Sequence, residues 1–265
     1  MQLTEKMMSP QLHTESITLS LTRSGGIQSV NLPFIIRIVR TEEHLSKAID
    51  VRAETYRKHH PELANQLSNA EAADRAPFSL VLLAEAKQDG AAIGTMRIET
   101  NVSSPLNIES LIPASSGLNN KTLAFVTRLG IRKRDDSQLI KVALFKALHR
   151  YCLACQIDSM VVTAKPPMDR QYLKLGFKDL FEPHKLIPIP WSNGIPTRLL
   201  ALETFRAEQD WRATNHPLYK FMIEDFCPDI QIFASVSGIW SRPRGTRGEL
   251  PSQEALKSVF GDAYA

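Results

Sequence analysis

Short apolar runs and helical-period segments alternate along this chain, and the alternation sets its elements. Phe34 to Val39 (FIIRIV), Ser79 to Ala86 (SLVLLAEA) and Ala91 to Thr100 (AAIGTMRIET) are short and rich in apolar and β-branched residues, the signature of strands. Asp89-Gly90 between the last two predicts a hairpin. Thr41 followed by Glu42 and Glu43 reads as the cap and acidic first turn of a helix. On that helix Ile49, Arg52 and Tyr56 share one face. Pro61 opens a second, polar helical segment with Glu71 and Asp74 near its end. Asn101 to Lys121 is rich in Ser, Asn, Pro and Gly and reads as a long loop.

The stretch from Thr122 to Phe177 is the most regular. Leu123 to Ile131 predicts a strand. Ile140, Leu144, Leu148, Tyr151 and Cys155 recur at helical spacing and predict an amphipathic helix with one buried face. Ser159 to Ala164 is apolar throughout, as expected for a strand covered on both sides. Pro167 opens a short helix that Gly176 ends. Strand, helix and strand form a crossover with parallel strands. Beyond Phe177, two strand-like runs flank Asn193-Gly194, a second hairpin signal, and a partly helical segment runs from Arg206 to Phe226. The predicted order is β-α-α-β-β-loop-β-α-β-α-β-β, an α+β fold with a mixed sheet and helices on both faces.

Three regions follow. Residues 1–33 read as an N-terminal tail or peripheral hairpin, with ITLSLT able to pair. Residues 34–205 form the compact domain, and 206–265 a helical extension with a loose end expected to be poorly ordered or to pack on a partner.

Composition narrows the function classes. A net charge of +4, with acids nearly as numerous as bases, argues against a nucleic-acid binder. Cys152, Cys155 and Cys227 give no disulfide framework, and Cys152-x-x-Cys155 reads as two small core residues one turn apart. The N-terminus lacks the apolar core of a signal peptide and no run is long enough for a membrane span, so a cytoplasmic setting is expected. His59-His60 read as surface, no metal site is expected, and Trp191, Trp211 and Trp240 read as packing anchors.

Two sets of residues carry a family resemblance. The ending Tyr172-Leu-Lys174-Leu-Gly176-Phe177 resembles the Y-x-K-x-G-F of GNAT acyltransferases. More narrowly, GTMRIETNVSSPL from Gly94 to Leu106, then Pro113, then VTRLGI from Val126 to Ile131, resembles the autoinducer (acyl-homoserine lactone) synthases and the related N-acyl amino acid synthases. Arg97, Arg128 and Thr127 fall on that pattern; so do Arg52 and Tyr56 upstream, with Glu71 and Asp74 as two acids three apart. The resemblance implies a GNAT-like sheet with splayed central parallel strands and an N-acyltransferase. It would move a fatty acyl group from an acyl-carrier-protein or acyl-coenzyme-A thioester to the amine of an amino acid or similar small molecule. Autoinducer synthesis, an ordinary acetyl-coenzyme-A enzyme and an inactive GNAT-like binding module are the alternatives.

The resemblance also implies roles. Tyr172 protonates the leaving thiolate, while Arg97, Arg128 and Glu99 serve the chemistry. Arg52, Tyr56, Glu71, Asp74, Phe125, Val126, Thr127 and Leu129 meet the substrates, and the amides of Val126 to Leu129 supply oxyanion donors. The five charged residues Arg52, Arg97, Arg128, Glu71 and Asp74 are expected in one ion-pair network. Leu106, Ile108, Leu111 and Ile112 are expected to line an apolar acyl slot.

There is one departure. The family's glutamate falls here on Phe125, so Glu99, Glu71 or Asp74 must take the amine's proton, or the amine arrives neutral. The donor-binding turn also differs. IRKRDDSQLIK has no glycine after Gly130, so Arg132, Lys133, Arg134 and Ser137 are read as contacts for a single phosphopantetheine phosphate and an acidic acyl carrier protein. No bound cofactor is expected, only the acyl donor as co-substrate.

Overall fold

The computed structural model describes residues 29–58, 61–190, 194–233 and 249–261. His59, His60, Trp191, Trp240 and the ITLSLT segment lie outside them.

Nine strands form one mixed sheet: β1 (Phe34–Ile38), β2 (Ser79–Ala86), β3 (Ala92–Thr100), β4 (Leu123–Ile131), β5 (Ser159–Ala164), β6 (Lys178–Asp179), β7 (Ile187–Ile189), β8 (Ile195–Glu203) and β9 (Ile230–Gln231). The spatial order is β6-β8-β5-β4-β3-β2-β1-β9, with β7 paired to β8. β4 and β5 run parallel, as do β1 and β9; the other pairs are antiparallel.

The helices are α1 (Glu42–Arg57), α2 (Pro61–Leu67), α3 (Ser137–Ala154), α4 (Asp169–Lys174), α5 (Ala207–Ala213) and α6 (Gln253–Phe260). Thr41 caps α1 as its sequence predicts, accepting from the His44 N–H at 3.2 Å. α1 lies across β2, β3 and β4 on one face, packing Leu45, Ala48 and Val51 on Val81 and Leu83. α3 lies on the other face. Gly94 of β3 admits it, because a Cβ there would stand 2.7 Å from Ile140 Cγ2.

Several expectations change. α3 is not amphipathic: from Leu139 to His149 every residue is buried, Lys141 and Lys146 included. The reason is the C-terminal region, read from sequence as a helical extension with a loose end. α6 packs on α3 and α4, burying Leu256, Val259 and Phe260. β9 extends the sheet beside β1, and Phe221 and Met222 of a π-helical turn (Lys220–Glu224) join the same core. At the other terminus the end of the expected tail is also built in: Val30 and Leu32 are buried, and Val30 N–H donates to Phe226 O.

Smaller corrections are local. The first run after Phe177 divides into β6 and β7. The expected long segment after Pro61 stops at Leu67, and Glu71 caps a separate 3-10 turn (Ala72–Asp74). α4 starts two residues beyond Pro167. Cys152 is buried, but Cys155, just past the end of α3, is exposed along with Leu153 and Ala154. Trp211 is the packing anchor expected, its indole N–H donating to Leu175 O at 2.8 Å.

Candidate active site

The site grows from an irregularity in β4. Its register against β3 passes from Thr95↔Gly130 to Arg97↔Thr127, so β4 holds one residue more than its partner. That extra residue makes a β-bulge, and Arg128 takes a left-handed backbone with φ 54°. For a non-glycine residue this conformation costs of order 1–3 kcal/mol and persists only where surroundings impose it. Here they do. Arg128 Nε and Nη2 each donate at 2.7 Å to the two oxygens of Glu71, a bidentate pair.

The bulge also ends the parallel pairing. β4 and β5 are joined only from Leu123↔Ser159 to Val126↔Val162, while β5 continues along β8 to Ala164↔Arg198. The two strands therefore splay beyond Val126, and Thr127, Arg128 and Leu129 border the opening.

Directly opposite residues of an antiparallel pair project from the same face. Arg97 opposes Thr127 and Glu99 opposes Phe125, so these four side chains share the α1 face. Arg97 is the hub of the group expected from sequence. Its Nη1 donates to Glu71 Oε2 at 2.8 Å and to Asp74 Oδ1 at 3.1 Å; its Nε donates to Glu99 Oε1 at 3.0 Å and Thr127 Oγ1 at 3.1 Å. Thr127 in turn donates to Glu99 Oε1 at 3.0 Å. Arg52 Nη1 reaches Asp74 Oδ2 at 2.8 Å. Three guanidiniums thus meet three carboxylates.

The charges are unequally exposed. Arg52 and Asp74 side chains are closed to solvent, whereas Glu71, Glu99 and Arg128 retain 28%, 23% and 17% of theirs. Arg52 and Asp74, read from sequence as substrate contacts, therefore lie behind Arg97. Burial pushes Arg52 down despite Asp74, and pushes the Tyr56 hydroxyl up. Burial alone would also raise Glu71, but Arg128 and Arg97 outweigh it and hold the carboxyl at about 2. The same pair keeps Arg128 charged: burial opposes its charge, and Glu71 more than restores it.

Beside this group is apolar material. Phe125, Leu123, Val161 and Leu199 form one cluster with Ile108 and Leu118, and Leu106, Leu111 and Ile112 pack against it. The loop residues expected to face an acyl chain are thus gathered over β4, β5 and β8.

The β4–α3 turn behaves differently from its reading. Arg132 pairs with Glu54 at 2.8 Å and donates to Ala92 O at 2.7 Å, while Arg134 pairs with Asp136 at 3.0 Å. Lys133 is exposed. Asp136 stands at the N-cap of α3 without a side-chain cap; Ser137 Oγ closes the turn, accepting from Arg134 N–H at 2.8 Å and donating to Arg134 O. Exposed pairs such as Arg132–Glu54 are worth little and exchange readily for another anion.

Tyr172 is 8% exposed and packs edge-on to Phe145 and Phe177, at 5.6 and 5.5 Å between ring centres. The sequence reading missed what lies near it. Lys141 Nζ, buried, donates to Gln171 Oε1 at 2.8 Å, and burial lowers it to about 8. Lys146 donates to Asp225 O at 2.6 Å and to Phe221 O and is lowered likewise to about 8. Arg198 ties β6 to α4 through Asp179 and Asp169. The one available signal was the presence of two lysines inside a helix otherwise rich in Leu, Val and Ala. No group of three or more metal-binding side chains occurs among the described residues, and no helix among them is long and apolar enough to cross a membrane.

The sheet order, the bulged β4, the splay against β5 and the helices on both faces define a GNAT-like fold, that of N-acyl amino acid synthases and acyl-homoserine lactone synthases. Among solved structures, FeeM, an N-acyl amino acid synthase from uncultured soil microbes, superposes with a TM-score of 0.53 at 18% identity, over 66% of this chain and 93% of that one. BjaI, a coenzyme-A-dependent acyl-homoserine lactone synthase solved with SAM and isopentyl-CoA, gives 0.51 at 14% identity, over 85% of this chain and 98% of that one. At these identities the likeness is one of fold. No protein-family profile and no curated protein sequence matches the chain.

Proposed function

We propose that the protein is an N-acyltransferase that moves a fatty acyl group from an acyl-carrier-protein or acyl-coenzyme-A thioester to the amine of an amino acid or similar small molecule. One observation carries the reading. The strand splay, the Arg97–Glu99–Thr127 group and the apolar cluster around Phe125 adjoin on one sheet face.

In this reading the thioester carbonyl lies in the splay. Backbone N–H groups of the bulged segment Val126 to Leu129 receive its developing oxyanion. The acyl chain runs over the Phe125 cluster. The amine nitrogen attacks the carbonyl carbon, the C–S bond breaks, and an amide forms. Glu99 takes the amine's proton, directly or through one water. Both hydrogen bonds to its carboxylate fall on Oε1, which leaves Oε2 for the amine. Tyr172 returns a proton to the departing thiolate. Arg128 and Glu71, the most accessible pair of this group, contact the acceptor; Arg52 and Asp74 hold Arg97 from behind. The exposed basic turn of Arg132, Lys133 and Arg134 meets the donor's phosphate, and an acidic carrier protein fits its charge.

Purified protein incubated with acyl carrier protein or coenzyme-A thioesters of several lengths, and a panel of amino acids, should yield acyl amides by mass spectrometry. Absence of product above background with every donor would refute the proposal. The similarity of fold to BjaI favours a second reading, autoinducer synthesis. It requires S-adenosylmethionine to serve as acceptor and a homoserine lactone to form, and the same assay distinguishes the two.

A further inference from the structure

α6 occupies an unusual place. Its body is only eight residues, too short to be helical alone, and the 21 residues from Ile232 to Ser252 separate it from β9 in sequence. It lies against α3 and α4, and its carbonyl-bearing end is held by side chains from both. Lys174 Nζ donates to Ser258 O at 2.8 Å and Gln171 Nε2 to Phe260 O at 3.0 Å; Gln138 Nε2 donates to Gly261 O. Phe260 covers Lys141, whose ammonium is 5.3 Å from the ring centre.

The arrangement has an electrostatic sense. The C-terminal end of a helix carries roughly half a negative charge and the N-terminal end roughly half a positive one. Gln138 is the second residue of α3, so the negative end of α6 is docked at the positive end of α3. Lys141 and Lys174 add two cations to the same groove. The basic turn of Arg132, Lys133 and Arg134 immediately precedes it. Groups suited to a phosphate therefore grip backbone carbonyls of the chain itself.

We propose that α6 is a displaceable strap, and that its C-terminal carbonyls stand in for the phosphate of the acyl donor's phosphopantetheine arm, which must lift α6 to bind between α3 and α4. This rests on the donor entering at the β4–α3 turn, as the proposed function has it. Docking of so short a helix is a local equilibrium that can shift without unfolding the sheet. The strap lowers donor affinity by the fraction of time it is closed.

The test is amide hydrogen exchange on the full chain with and without 4′-phosphopantetheine. Binding should protect the start of α3 and at the same time speed exchange in α6 from Leu256 to Gly261. Protection of α3 with α6 unchanged or slowed would overturn the strap while leaving the donor reading intact. Protection nowhere in α3 would overturn the donor reading and the strap with it. A full-length Phe260→Ala variant gives an independent readout. If α6 is closed about nine-tenths of the time, loosening it should tighten phosphopantetheine binding about tenfold. Weaker binding would show α6 to be a wall of the site, and the proposal would fail.

Discussion

Replacing Asp74 by alanine tests the buried side of the ion-pair group. The carboxylate is closed to solvent and accepts from Arg52 Nη1 at 2.8 Å, Arg97 Nη1 at 3.1 Å and the Glu71 N–H at 2.9 Å. Arg52 already has two nitrogens, Nε and Nη2, without partners. Losing Asp74 would leave its charge buried and uncompensated. Removing one member of a buried pair costs about 3–5 kcal/mol. For a chain of this size that lowers Tm by about 10 °C.

The contrasting variant is Arg52→Met with Asp74→Leu, which removes both charges and keeps most of the volume. Apolar replacement of a buried pair is often neutral, so the double variant should recover most of the stability. The double-mutant cycle should then give a coupling of about 2 kcal/mol or more. Acyl transfer should not recover, because Arg97 has still lost its anchor. Urea unfolding of the four proteins, with the amide-forming assay alongside, separates the effects. A single variant within about 1 kcal/mol of the parent would refute the burial argument. A double variant with full activity would refute the positioning role.

The remaining predictions are briefer. Glu71 is held at about 2 against an ordinary 4.5, because Arg128 and Arg97 outweigh its burial, so its contribution is present above about pH 4.5 and lost as pH falls toward 2; Glu71→Gln should flatten acid unfolding in that window. Lys146 is lowered by burial from 10.5 to about 8, so the folded state sheds its proton first and stability should rise, through this group, between about pH 8 and 10.5; comparing Lys146→Met with the parent by urea melts should show that rise absent in the variant. Gly94→Ala would place a Cβ 2.7 Å from Ile140 Cγ2 and should cost about 1–3 kcal/mol, read as a lower denaturation midpoint. Glu99→Gln keeps the bonds from Arg97 and Thr127 but removes the proposed base, so kcat should fall about 10²-fold or more with Tm nearly unchanged, and recover in part at high pH where the amine is already neutral.

The central crossover was legible because each of its signals is local. Leu123 to Ile131 and Ser159 to Ala164 are strands to the residue, and the hairpin at Asp89-Gly90 is where its dipeptide predicts. The ion-pair group was legible only through the resemblance, since single arginines carry no periodicity. What failed was non-local. Nothing within α3 says that its outer face is covered, because the cover comes from residues 75 to 123 positions later. Lys141 and Lys146 lie off the predicted apolar face, and α6 and the π-helical turn bury them. Glu71 and Asp74 read as the end of a helix, yet α2 stops at Leu67 and Glu71 is held by Arg97 and Arg128, partners distant in sequence.

Under the proposed function, the register at Phe125 supplies a position for the base that the linear pattern lacks. In sequence, an aromatic residue in place of the expected glutamate removes the base from β4. In the sheet, Glu99 is the direct cross-strand partner of that residue, and the two side chains leave the same face. A carboxylate moved from one strand to the facing position of the next shifts by about 5 Å, a distance a glutamate side chain spans. Arg97 on β3 and Thr127 across on β4 both donate to it. Phe125 gains a role in exchange: it joins Leu123 and Val161 on the apolar side. Polar side chains gather around Arg97, Glu99, Thr127 and Arg128 and apolar ones around Leu123 and Phe125, so the boundary between them crosses β4 just before the bulge at Arg128.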